Sequence, residues 1–135
     1  QANKILLNTL AKTQESRSKD KIKLNNPVAM DKNVSIGTNS IIGPYAILGK
    51  NVTIGKNVQI NNSVILSDTK INDSTSITSA IIGEGAKIGK KVKIGKGCII
   101  GDQATITDNI SLADKTTVCP AKQVSENILE PKVIC

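Results

Sequence analysis

The sequence predicts an all-β fold, a parallel β-solenoid in which short strands and tight corners alternate around a triangular coil. An aliphatic or methionine side chain recurs seventeen times between Leu24 and Val118 at a spacing of six residues, with two five-residue steps. All ten glycines keep this period: eight directly follow an in-phase aliphatic residue and two lie three residues after one. The chain has no Phe or Trp and one Tyr, which suits a narrow interior.

Each six-residue unit supplies one short strand and one corner, and three units complete a coil. The in-phase residues are expected to point inward, and a small or slim residue two positions earlier, such as Val64 or Ala86, shares the interior. Gly or Asn suits the corners because the backbone there needs a positive φ. The in-phase positions are Leu24, Met30, Ile36, Ile42, Leu48, Ile54, Ile60, Leu66, Ile71, Ile77, Ile82, Ile88, Ile94, Ile100, Ile106, Leu112 and Val118.

The segment Ile88-Gly89-Lys90-Lys91-Val92-Lys93 is one complete copy of the repeat. This pattern resembles the hexapeptide-repeat left-handed β-helix. The resemblance implies the handedness, since crossovers between parallel strands are otherwise overwhelmingly right-handed. The expected fold is therefore a left-handed parallel β-helix of nearly six coils with a short N-terminal helix.

Three segments are predicted along the chain. Residues 1–21 are predicted to form a helix, Ala2 to Lys12, followed by a polar linker. Residues 22–118 form the β-helix. Residues 119–135, which contain Pro120 and Pro131, lose the repeat and are expected to cap the open end of the stack.

One face of the coil is predicted to be apolar on its outside. If the five-residue steps, Leu66 to Ile71 and Ile77 to Ile82, each count as one unit, two faces show mostly polar residues. The third face carries four isoleucines, and soluble monomers seldom expose such a stripe. We expect it to be covered by the same face of another subunit in a dimer or trimer, by the N-terminal helix, or by a further domain. The predicted outward ladder is Ala29, Ile47, Ile65, Ile81, Ile99 and Thr117.

The net charge of +7 is concentrated at the start of the chain, where the first 23 residues carry +4. Nucleic-acid binding is not expected because no stacking aromatics or reading element accompanies the basic residues. A denser lysine cluster is interpreted as a solvated corner in preference to a binding site for a phosphate or another anionic effector. The cluster comprises Lys87, Lys90, Lys91, Lys93 and Lys96.

The composition argues against a catalytic or metal site in this chain. It has no His, so neither a histidine base nor a histidine zinc site is available. The aspartates fall on corners and are predicted to be turn residues. Three cysteines form no zinc pattern, and they leave open whether Cys119 and Cys135 pair. No membrane span or secretory signal is recognised, so a soluble cytoplasmic protein is the default.

Both flanks resemble nucleotide-sugar pyrophosphorylases, the family of glucose-1-phosphate and mannose-1-phosphate nucleotidyltransferases. The similar segments are Gln1-Ala2-Asn3-Lys4-Ile5-Leu6-Leu7 and Val118-Cys119-Pro120-Ala121-Lys122-Gln123-Val124. The resemblance implies a parent enzyme that makes a nucleotide sugar and pyrophosphate from a nucleoside triphosphate and a sugar 1-phosphate, with magnesium. Its catalytic loop and lysine lie in an N-terminal domain, so no catalytic residue or cofactor is carried over to this chain.

The resemblance therefore implies an oligomerisation or regulatory role. Together with the start at Gln1 it suggests a fragment, in which residues 1–21 are the helix and linker from a missing N-terminal nucleotidyltransferase domain. Two alternatives remain. One is a hexapeptide-repeat acyltransferase that dispenses with histidine or has its catalytic part elsewhere. The other is the similar assembly domain of translation-initiation exchange-factor subunits.

Overall fold

The structure is a computed structural model that describes residues 22–135. The predicted N-terminal helix and linker lie outside the described residues. Within residues 22–135 the chain forms nineteen strands of two or three residues and no helix. The prediction of an all-β solenoid is therefore confirmed.

The strands have the following bounds. In chain order they are β1 (Lys23–Leu24), β2 (Val28–Met30), β3 (Ser35–Ile36), β4 (Ile41–Ile42), β5 (Ala46–Leu48), β6 (Thr53–Ile54), β7 (Gln59–Asn61), β8 (Ser63–Ile65), β9 (Lys70–Ile71), β10 (Ser76–Thr78), β11 (Ile81–Ile82), β12 (Lys87–Ile88), β13 (Lys93–Ile94), β14 (Ile99–Ile100), β15 (Thr105–Ile106), β16 (Ser111–Leu112), β17 (Thr117–Val118), β18 (Gln123–Val124) and β19 (Val133–Ile134).

From β1 to β18 every third strand joins the same sheet, so three parallel sheets run the length of the molecule. Sheet A has the order β1-β4-β7-β10-β13-β16, sheet B has β2-β5-β8-β11-β14-β17-β19, and sheet C has β3-β6-β9-β12-β15-β18. All strand pairs are parallel, and each strand pairs with its equivalent in the next coil. Three strands thus make one coil, and the stack contains about six coils.

The in-phase aliphatic residues form one continuous core down the axis. Ile42, Ile82 and Ile88 have no exposed surface, and small residues such as Ala86 and Cys98 fill the slots beside them. Large side chains do not fit in these slots, because side chains from all three sheets pack into the same narrow interior. Tyr45 lies on a corner with 65% of its surface exposed, which confirms its predicted outward position.

The first five-residue step lies one unit earlier than predicted. β8 pairs with β5 so that Ser63 faces Ala46, Val64 faces Ile47 and Ile65 faces Leu48. The prediction that Ile65 points outward and Leu66 inward is therefore wrong. Ile65 is fully buried and Leu66 is 40% exposed, because the shortened corner falls between Ile60 and Ile65.

The corner aspartates connect successive coils, as expected of turn residues. The carboxylate of Asp108 accepts a hydrogen bond from the backbone N–H of Lys90 at 2.8 Å. Asp73, Asp102 and Asp114 accept equivalent bonds of 2.9 Å from backbone N–H groups of the preceding coil. These bonds satisfy corner amide groups that the sheets leave unpaired.

The tail adds a further partial coil at the end of the stack. Val124 in β18 and Ile128 at a single bridge to Leu112 are buried over the end of the core. β19 then pairs with β17, and Cys135 is disulfide-bonded to Cys119. The sequence left this pairing open, because only the extra turn of the tail places the two residues one above the other.

Candidate functional site

The candidate site is the outer surface of sheet B, which carries an apolar ladder along the whole stack. The side chains point outward because each lies between two inward neighbours on a three-residue strand arc, as Ile47 lies between the buried Ala46 and Leu48. The pairing places them in one row in successive coils. The row, called the sheet B ladder below, consists of Ala29, Ile47, Val64, Ile81, Ile99, Thr117 and Val133.

Large parts of the ladder are open to solvent. Ile47 is 52% exposed, Ile81 and Ile99 are each 46% exposed, and Val133 is 66% exposed. Seven strands at a spacing of about 4.8 Å make the row roughly 29 Å long. An uncharged, mostly apolar row of this length is uncommon on a monomer surface and is typical of a surface that another molecule covers.

Three of the four predicted interface residues, Ile47, Ile81 and Ile99, thus lie on one exposed row. Ile65 lies inside the coil, and Val64 takes its place in the ladder. Sequence reasoning also missed Val133, which joins the row through the pairing of β17 with β19. The small residue Ser63, two positions before Ile65, could have indicated that Ser63 and Ile65 point inward and Val64 outward. Val64, Ile65 and Leu66 are all aliphatic, however, so they also fit the register in which Val64 and Leu66 point inward.

The other two sheets are polar outside, as predicted. Sheet A presents Lys23, Ile41, Gln59, Ser76, Lys93 and Ser111. Sheet C presents Ser35, Thr53, Lys70, Lys87, Thr105 and Gln123. Within the described residues, sheet B is the one sheet whose outward row contains no charged side chain. Two copies of this basic chain could therefore meet through sheet B without placing lysines of the two rows against each other.

The five residues of the lysine cluster are all exposed but do not share one surface. Lys87 is on sheet C, Lys93 is on sheet A, and Lys90 and Lys91 occupy the corner between these sheets. Lys96 follows β13 on the next corner. The carboxylate of Asp108 binds the backbone N–H of Lys90 and so brings negative charge to the same corner. The solvated-corner interpretation remains the simpler prediction for this cluster.

No group of three or more His, Cys, Asp or Glu among residues 22–135 could hold a metal ion. The side chain of Cys98 is buried and donates a hydrogen bond to the carbonyl of Ala113 at 3.2 Å. Burial raises the pKa of the Cys98 thiol, which makes it a poor nucleophile. The described residues also include no helix long and apolar enough to cross a membrane.

Solved structures show similar solenoids. A hexapeptide transferase family protein from Anaplasma phagocytophilum is 13% identical, with a TM-score of 0.54 over 84% of this chain and 72% of that one. A GDP-perosamine N-acetyl transferase mutant from Caulobacter crescentus, solved with CoA and GDP-perosamine, is 14% identical, with a TM-score of 0.41. That match covers 96% of this chain and 59% of the transferase.

The acetyltransferase domain of PglB from Neisseria gonorrhoeae, solved with acetyl coenzyme A, is also 14% identical, with a TM-score of 0.41 over 90% of this chain and 62% of that domain. The chain therefore spans less than two thirds of both acetyltransferases. The likeness to the Anaplasma phagocytophilum protein shows a shared fold and nothing about activity. A comparison with curated protein sequences gave no significant match.

A family model described as the GMPPB C-terminal domain matches residues 24–134, which include all of the strands from β2 to β19. The matched region contains the complete sheet B ladder and the tail up to Ile134. It supports the resemblance of the tail to nucleotide-sugar pyrophosphorylases, and with it the left-handed β-helix. The chain therefore belongs to the GMPPB C-terminal domain family, a family of nucleotide-sugar pyrophosphorylase C-terminal domains.

Proposed function

We propose that this chain is the assembly domain of a sugar-1-phosphate nucleotidyltransferase and that it joins identical subunits through sheet B. The parent enzyme would convert a nucleoside triphosphate and a sugar 1-phosphate into a nucleotide sugar and pyrophosphate. The family match supports the parent class. The exposed, uncharged sheet B ladder is the observation that carries the assembly role.

The proposed contact is between two copies of sheet B. Burying Ile47, Ile81 and Ile99 against the same residues of a second copy removes apolar surface from water at no electrostatic cost. A contact between two copies of sheet A would instead place Lys93 near Lys93 of the second copy. A contact between two copies of sheet C would place the adjacent Lys70 and Lys87 near the same two lysines. Self-association through sheet B is thus favoured over association through the other faces.

The described residues provide no chemistry for nucleotidyl transfer or acyl transfer. The whole sequence lacks histidine, and the described carboxylates lie on corners or in the tail, where each is at least partly exposed. No residue of this chain is assigned to the magnesium ion expected for the parent reaction, because the described residues form no suitable ligand group. Catalysis in the proposed enzyme would therefore belong to another domain, and this domain would organise it.

The test is the absolute mass of the chain in solution, measured by light scattering after size-exclusion chromatography, for the natural sequence and for Ile81→Lys/Ile99→Lys. We expect a discrete oligomer for the natural sequence. The double variant should weaken association by at least about a hundredfold, because each lysine would be buried against an apolar or like-charged neighbour. Circular dichroism should show that the solenoid remains folded, since both side chains point away from the core.

The matched control is Gln59→Lys/Gln123→Lys, which adds the same two charges to the outer rows of sheets A and C. It should retain the mass of the natural oligomer. A monomeric natural chain would contradict the proposal and would favour coverage of sheet B by residues 1–21 or by another domain. An oligomer that both double variants leave intact would show that a different surface mediates assembly.

A further inference from the structure

The tail is held at its end by a pair of cysteines that lie directly above one another. Cys119 follows β17 and Cys135 follows β19, and the pairing of these strands extends the register of Thr117 with Val133 by two residues to the cysteines. Their Cα atoms are 4.9 Å apart, within the range of roughly 4.4–6.8 Å that disulfides span. The backbone therefore brings the two sulfur atoms together without any displacement of the strands.

Apart from this bond, the last strand has little to hold it. β19 contains two residues and has one neighbour, β17. The backbone hydrogen bonds that flank this pairing run from the N–H of Thr117 to Lys132 and from the N–H of Cys119 to Ile134, each at 2.8 Å. Val133 is exposed and Ile134 is only partly buried. A two-residue terminal edge strand with so few contacts is expected to fray unless it is tethered.

The preceding part of the tail is held more firmly. Val124 is buried and its carbonyl accepts hydrogen bonds from both the N–H and the hydroxyl of Thr107. Ile128 is buried and pairs with the edge of sheet A through Ser111 and Ala113. Between Ile128 and β19, Leu129 is 88% exposed. The disulfide thus acts on the segment from 129 to 135 rather than on the whole tail.

We infer that Cys119 and Cys135 form a reversible thiol–disulfide clasp that locks β19 onto sheet B when oxidised and releases it when reduced. The partner reagent is a small-molecule disulfide such as oxidised glutathione. The exposed Cys135 thiolate attacks that disulfide, which releases one glutathione and leaves a mixed disulfide. The Cys119 thiolate then displaces the second glutathione, so the two electrons and two protons of the protein thiols end on two glutathione molecules.

The third cysteine does not compete in this exchange. Cys98 is buried in an interior slot two coil layers from the tail end, where its side chain donates a hydrogen bond to the carbonyl of Ala113. Burial also raises its thiol pKa, which lowers the fraction of reactive thiolate. Alkylation of the reduced, folded chain should therefore modify Cys119 and Cys135 quickly and Cys98 slowly.

One consequence rests on the proposed function. Val133 is the last member of the sheet B ladder, so release of β19 would shorten the apolar surface by one layer and expose Val118 beneath Ile134. Oxidation would then favour assembly and reduction would weaken it. The clasp itself does not depend on this consequence, because its local effect is measurable in a monomer.

The test compares trypsin cleavage after Lys132 in the oxidised chain and in the chain reduced with dithiothreitol. Samples are quenched, fully reduced and analysed by mass spectrometry, so that a cleaved C-terminal peptide is detected in both states. Reduction should accelerate this cleavage by at least about tenfold, because the 16-residue loop is no longer closed. Cys135→Ser should show the fast rate with or without dithiothreitol.

The matched control is Cys98→Ala, which places alanine in a slot that Ala80 and Ala86 fill in other coils. It should respond to oxidation as the natural chain does. Equal cleavage rates in the oxidised and reduced chains would overturn the inference, as would failure of the pair to form in excess oxidised glutathione. The mass of the oxidised and reduced chains, measured separately, reports the effect on assembly, so an unchanged mass with a changed cleavage rate would refute only the consequence.

Discussion

The neighbouring residues Ile65 and Leu66 provide a sharp test of the fold. In the structure Ile65 is stacked between Leu48 and Ile82 of the adjacent coils, whereas Leu66 lies on a corner with 40% of its surface exposed. Ile65→Ala removes three carbon atoms from a site with no exposed surface. The lost burial of these three carbon atoms lowers the free energy of unfolding by about 2.4 kcal/mol. The cavity that they leave lowers it further.

The cavity at Ile65 cannot close easily, because β8 is held by β5 on one side and by β11 on the other. We therefore expect Ile65→Ala to lower the free energy of unfolding by about 3–4 kcal/mol. Leu66→Ala should lower it by about 1 kcal/mol or less, since the leucine already contacts water. The two variants delete the same number of atoms and thus control for each other.

The assay is urea unfolding followed by far-ultraviolet circular dichroism, because a chain with no Trp and one Tyr gives little fluorescence signal. The dependence of unfolding free energy on urea should keep its slope, and the midpoint should move. If the five-residue step followed Leu66 instead, Leu66 would be the core residue. A larger loss for Leu66→Ala than for Ile65→Ala would therefore refute the register described above.

Two further substitutions test the interior hydroxyl groups and the corners. Thr75→Val should lower the free energy of unfolding by about 1–2 kcal/mol, because the buried Thr75 hydroxyl donates to the Gly89 carbonyl at 2.7 Å; an unchanged urea midpoint would contradict this. Gly89→Ala should cost at least about 1 kcal/mol, since its added Cβ would overlap the backbone and carboxylate of Asp108. Gly97→Asn is the control for the glycine substitution, because its Cβ would approach most closely the flexible side chain of Lys115, at 3.2 Å, and Asn tolerates its φ of 76°; an equal loss in both glycine variants would show that the close approach to Asp108 is unimportant.

Much of the fold could be predicted because the repeat is local. Ile88, Gly89 and Val92 show within six residues which side chain points inward and where the chain turns. The same information gave the outward positions of Ile47, Ile81 and Ile99, and the corner positions of the aspartates. No such signal distinguishes Val64, Ile65 and Leu66, which are all aliphatic and adjoin a shortened corner.

The sequence by itself determined the repeating unit, the inward residues and the apolar character of one face. The tertiary structure alone decided that Ile65 is internal, that Val64 and Val133 complete the sheet B ladder, that the lysine cluster divides between two sheets, and that Cys119 lies beneath Cys135. The physical reason is that strand pairing joins residues 16 to 18 positions apart. A single shortened corner, or an extra turn in the tail, therefore changes which side chains are neighbours without changing the local pattern from which the strands were recognised.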